Sequence, residues 1–211
     1  MSDPNVQKPA DTAPKPWANP TPAGLVALAV ACFCFFAYLL GFVNRTPESN
    51  AMILMGTWLL GGFVVQIVVA VIDIKNGNKT GGNTFLYFCA FFMLVSGLEF
   101  IFKVIFPHLD TRIDGWAWMA LTLVVWLWAP AFSKSPLLLF LIVIFLGAAL
   151  PFIFLMDLKV FDAGFAAVAA PIAAISLMVC ALLAIYLSAA MIVNKAFGKK
   201  VFWNPGPISK S

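Results

Sequence analysis

LLLFLIVIFLGAALPFIFLM, residues 137–156, is twenty apolar residues without a charge, a hydroxyl or an amide. At about 1.5 Å of rise per residue it makes a helix of roughly 30 Å, the thickness of a bilayer's hydrocarbon core. Residues 163–193 follow the same rule for 31 positions with no charged side chain. Working outward to the N-terminus, further apolar runs stand at Gly24–Val43, Ala51–Ile72, Thr84–Phe102 and Gly115–Phe132. Six spans of this length read as an all-α membrane protein, a bundle of six transmembrane helices. Membrane β-strands are about ten residues long and alternate polar with apolar, so a barrel does not fit.

The composition agrees. Of the 211 residues, 63% are hydrophobic and only 10% charged, against about 25% charged in a soluble domain. Such a chain has too little polar surface to face water, and disordered, collagen-like and nucleic-acid-binding classes are excluded with it. The net charge of +4 needs no acidic partner. Residues 1–23 hold six prolines and no apolar run, which reads as a mobile Pro-rich tail. Residues 24–194 form the membrane domain and 195–211 a C-terminal tail.

Orientation follows from the basic residues. One side carries Lys8, Lys15, Lys75, Lys79, Lys134, Lys195, Lys199, Lys200 and Lys210; the other carries Arg45, Lys103, Arg112 and Lys159. Nine against four places both termini in the cytoplasm, as in a multi-pass protein of the cytoplasmic (inner) membrane. Trp17 and Trp203 stand just outside the first and last spans, as belt residues of one interface do. Small residues at Gly61 and Gly62, and at Ala166, Ala170 and Ala174, mark faces where helices approach closely. Those faces serve packing within one subunit or a contact between subunits. Pro171 is a candidate kink in the long last helix.

The chemical inventory is short. The cysteines, Cys32, Cys34, Cys89 and Cys180, lie inside spans as small hydrophobes, and His108 is alone on a loop. No metal set, nucleophile with a base, or carboxylate pair can be assembled, so neither an enzyme nor a cofactor is expected. Glu99 is the one carboxylate within the apolar runs. Lys103 lies one turn on, which makes Glu99 either a helix-end ion-pair partner or a proton-handling group. Gln66 lies mid-span with no local partner, so it bonds another helix or lines a pore. Thr84 and Tyr87 are further neutral pore-polar candidates. Scattered neutral donors and acceptors suit a conduit that holds small polar solutes weakly at several points.

Three segments add a resemblance. They are Asn19-Pro20-Thr21-Pro22-Ala23-Gly24-Leu25; Gly61-Gly62 with Gln66 and Asp73-Ile74-Lys75-Asn76-Gly77-Asn78; and Ile185-Tyr186-Leu187 with Asn194-Lys195-Ala196-Phe197-Gly198-Lys199. In order and spacing the chain resembles the acetate uptake transporter family, the succinate–acetate permeases of the YaaH type, from Asn19 to Lys199. The resemblance implies a channel or transporter for small monocarboxylates, acetate favoured, with proton coupling in some members and assembly as a homohexamer. It also implies a path narrowed by a Phe, a Tyr and a Leu, which fall here on Leu28, Phe88 and Leu146. Only the leucine is kept, and the family's tyrosine hydroxyl is lost. The alternatives to a carboxylate passage are a neutral-solute channel for urea or short amides, and a non-transporting membrane scaffold.

Asn19 and Pro20 can be read without the family. Asn19 is a good N-cap and Pro20 suits a first helical turn. With Gly24 they form the cytoplasmic mouth of the first helix, whose free N–H groups favour an anion or simply start the helix at the headgroups.

Overall fold

The computed structural model describes residues 17–46, 49–106 and 108–209. The first sixteen residues of the Pro-rich tail lie outside them. Six helical spans are long and apolar enough to cross a membrane, and the protein is an integral, multi-pass membrane protein. In chain order they are α1 (Thr21–Leu39), α2 (Met52–Lys75), a compound third span, α5 (Arg112–Phe132), α6 (Leu137–Leu158) and α7 (Ala163–Phe197). Between α1 and α2, β1 (Arg45–Thr46) and β2 (Ser49–Asn50) pair as a minimal antiparallel hairpin. The Arg45 guanidinium there lies 4.0 Å over the Tyr38 ring and also donates to the Tyr38 carbonyl.

The third span is α3 (Lys79–Tyr87), a π-helical stretch over Phe88–Val95, and α4 (Ser96–Ile105). The Ser96 hydroxyl donates five residues back to the Phe91 carbonyl at 3.3 Å. Nothing in the composition of FCAFFMLV announces this wider winding, which adds a residue to the turn and re-aims the rings that follow.

Helices overrun the apolar stretches that mark them. α2 continues past Ile72 to Lys75 and α6 past Met156 to Leu158. Backbone hydrogen bonding does not stop where hydrophobicity does. Asp73 is thereby drawn into α2, so Glu99 is not the only carboxylate within a span. α7 runs 35 residues, about 52 Å at helical rise, and continues unbroken through Pro171. It ends at Gly198 in the left-handed region, φ +61.

α7 packs against both α1 and α6, α5 against α6, and α2 against α1 and the third span. The seam of α7 is small: Ala169, Ala173, Ala174, Ala181 and Ala184 are fully buried. Ala174 belongs to that seam, while Ala166 and Ala170 are half-buried. The close approach expected at Gly61 is elsewhere. Gly61 is exposed with open space where a Cβ would stand, whereas a Cβ on Gly56 would lie 2.5 Å from the Gly97 carbonyl oxygen. α2 and α4 therefore cross backbone to backbone at Gly56 and Gly97. Gly62 faces inward, where a Cβ would meet the Met93 sulfur at 2.9 Å.

Candidate solute cavity

A cavity of about 250 Å³ enters the bundle from the end at which α1 begins and α7 finishes. Its rim is polar, built where helices begin and end: Asn19 before α1, Asn78 and Gly81 at the start of α3, and Ser135 and Pro136 at the α5–α6 turn. Below the rim the walls turn apolar with Leu25, Phe85, Phe132, Ile142, Val143 and Leu187. The deepest lining residues are Leu28, Phe88 and Leu146, which come from α1, the π stretch and α6. Leu28 is seven residues from the start of α1, so the floor lies roughly 10 Å below the helix ends.

The floor is thicker than three side chains. Phe88 meets Phe92 edge to face at 5.7 Å, Phe92 stacks on Phe35 at 5.1 Å, and Phe35 meets Phe100 at 5.6 Å. Tyr38 then closes on Phe100 at 5.2 Å. An aromatic column thus fills the bundle below the cavity, and two of its rings, Phe88 and Phe92, stand on the π-helical stretch.

The mouth is held by a polar clasp. The Trp17 N–H donates to the Asn76 side-chain oxygen at 3.0 Å, and the Asn76 amide returns a hydrogen bond to the Trp17 carbonyl at 3.1 Å. Lys75 Nζ lies 4.2 Å over the Trp17 ring. Gly77, at φ +82, makes the tight α2–α3 turn that the clasp needs. On the opposite rim the C-terminal segment is pinned down. The Asn194 side-chain oxygen accepts from the N–H groups of Val201 and Phe202, both at 2.8 Å. The Ser209 N–H then donates to the Ser133 carbonyl at 3.1 Å.

α1 begins at Thr21 with Pro20 at the N-cap position, one residue later than the sequence suggests, so Asn19 stands just ahead of the cap, its Oδ1 accepting from the Thr21 N–H at 3.0 Å. The positive end of α1 nevertheless already faces a carboxylate. Asp73, 2% exposed, accepts from the Thr21 hydroxyl at 3.5 Å. It also lies against the start of α3, where a Cβ on Gly81 would be 2.9 Å from Asp73 Oδ2. Two helix N-termini converge on one buried carboxylate. An anion at this mouth would have Asp73 as its neighbour. The signal in the sequence was Asp73 itself, a carboxylate at the end of an apolar run whose near lysine, at i+2, cannot share its helix face.

Gly24 does not touch the cavity directly. Its carbonyl accepts from Gln66 Nε2 at 3.3 Å, and its missing side chain makes room for the Phe85 ring, which a Cβ would meet at 2.5 Å. Gln66 lines the cavity and is fully buried. Thr84 lines it too, its hydroxyl spent on the Thr80 carbonyl at 2.8 Å. Tyr87 turns away, donating to the Leu121 carbonyl of α5 at 3.2 Å. Glu99 stands in a separate hollow at the other end, paired with Lys103, which also reaches Asp114 at 3.4 Å. Just outside α5, the exposed Asp110 carboxyl is held down at about 2 by its hydrogen bonds to Arg112.

No family model matches the chain, and no curated protein matches it. Among solved structures, one described as the bacterial acetate channel SatP superposes with a TM-score of 0.75 at 18% identity. The match covers 89% of this chain and 98% of that one. The fold is that of SatP. Span for span, the six-helix SatP fold accounts for nearly all of the described chain, and it agrees with the resemblance carried by the segments between Asn19 and Lys199.

Proposed function

We propose that the protein is a non-enzymatic membrane passage for acetate and monocarboxylic acids of similar size. One observation carries the reading: a cavity sized for a few heavy atoms runs from a polar rim to an apolar floor of Leu28, Phe88 and Leu146, inside a fold shared with an acetate channel. Floors of this kind obstruct by dewetting, since a solute must shed water for little return. The aromatic column makes this conformation a closed one.

Labelled acetate uptake into proteoliposomes, measured over protein-free vesicles, tests the proposal. Protein-dependent flux supports it, and flux equal to that of empty vesicles leaves the scaffold reading. The distribution of basic residues supports cytoplasmic termini in an inner membrane, which impermeant labelling of a cysteine placed beside Trp203 checks. The sequence resemblance supports a homohexamer. A stable monomer by native mass measurement in nanodiscs counts against it.

A further inference from the structure

Gln66 carries an unspent acceptor. Its side chain is fully buried in the wall of the cavity. Its amide nitrogen donates to the Gly24 carbonyl, which can only accept, so the orientation of the amide is decided by its partner. The other end of the amide, Oε1, has no hydrogen-bond partner. A buried carbonyl oxygen without a donor is costly, and native proteins retain few of them.

The groups around it present the same sign. The Thr84 hydroxyl hydrogen is committed to the Thr80 carbonyl, and that of Thr21 to Asp73. Asp73 lies two turns along α2 from Gln66, about 10 Å away, and adds negative potential. Among the described residues lining the cavity none is Lys, Arg or His. The remaining side-chain donors are the second N–H of Gln66 Nε2 and, at the rim, those of Asn19, Asn78 and Ser135. A carboxylate moving inward leaves the rim donors behind, and at Gln66 it can use only the second N–H while its lone pairs face the amide oxygen. A solute with an O–H or N–H of its own satisfies that oxygen as well once the wall around it parts, since Oε1 has no free surface in this conformation.

We infer that Gln66 is the specificity-determining residue of this cavity, and that it selects neutral donor-bearing solutes, the protonated acid or the corresponding amide, over the carboxylate anion. The inference rests on the cavity being a solute passage. Acetate and acetamide have nearly the same shape, and they differ in whether the polar end can donate. That pair therefore isolates the hydrogen bond from the size of the opening.

The experiment measures acetate and acetamide flux into proteoliposomes across a pH series above the acid's pKa, over protein-free vesicles, for wild type and Gln66→Met. Methionine fills similar volume without an acceptor. Protein-dependent acetate flux at fixed total concentration should fall about tenfold per pH unit, following the protonated fraction. Acetamide flux should stay level, which also shows that titration of Asp73 is not gating the passage. Gln66→Met should reduce acetamide flux about tenfold.

Acetate flux that is level with pH, with acetamide excluded, overturns the inference and leaves the passage standing as an anion path. Acetamide flux unchanged in Gln66→Met overturns the role of Gln66, whose oxygen then serves only a bound water. Absence of flux for both solutes in wild type overturns the passage itself. If Gln66→Met does not assemble, the wild-type pH series and acetamide arm still decide between neutral solute and anion.

Discussion

Ser188, near the end of α7, donates its hydroxyl hydrogen to the carbonyl of Pro22, in the first turn of α1, at 3.0 Å. The bond joins the first and last helices beside the cavity's mouth and is buried. Ser188→Ala removes the donor with little change in volume. Hydrogen bonds between membrane helices are worth about 0.6 kcal/mol on average and up to about 1.7, so a loss near 1 kcal/mol is expected. Denaturant unfolding in mixed micelles measures it. A larger loss would mean that Pro22 anchors more than one partner.

Gly56 and Gly97 leave no room for a side chain where α2 crosses α4. Gly56→Ala forces two backbones apart and should cost about 1–3 kcal/mol, as overpacking does. Gly61→Ala, on the exposed face of α2 and surrounded by open space, should leave the isolated subunit unchanged. If Gly61→Ala instead disperses an oligomer in lipid, Gly61 lies at a contact between copies. Thermal unfolding and native mass measurement separate the two effects.

Phe88 is the top ring of the aromatic column. Phe88→Ala should widen the floor and raise acetate and urea flux severalfold while eroding selectivity between them. It should also cost about 3 kcal/mol of stability. Phe92 remains below as a second obstruction, so the double variant Phe88→Ala with Phe92→Ala should pass more of both than either alone. Phe88→Tyr restores a donor at the floor and should raise acetate flux relative to urea flux. Unchanged flux in Phe88→Ala would reduce Leu28, Phe88 and Leu146 to ordinary packing.

Glu99 shares Lys103 with Asp114, away from the cavity. Glu99→Gln leaves Lys103 a carboxylate partner, so a loss of no more than about 1 kcal/mol is expected. The pH dependence of uptake should be that of wild type. A flattened pH profile would give Glu99 a part in proton handling.

Much of the architecture was legible in the residues. Apolar runs such as 137–156 admit only a membrane-spanning helix, because every backbone polar group must be satisfied within the segment when no water is near. Gly77 announced its turn, and Gln66 its need for a partner outside its own helix. These are local demands of backbone and side chain, and they hold whatever the rest of the chain does.

Tertiary structure alone decided what those residues face. Periodicity is silent in helices that are apolar all round, so nothing local distinguished Gly56, pressed against Gly97, from Gly61, which meets open space. Phe88 and Phe92, one turn apart, stand in one column with Phe35, and only packing against that ring made the column visible. Asp73 became a buried carboxylate because α2 outran its apolar run and two helix N-termini met beside it. The free oxygen of Gln66 was set by which way its amide had to turn toward Gly24, a contact between residues 42 positions apart. Composition and chain length bound a helix to the membrane, but the inward face of each helix is a property of its neighbours.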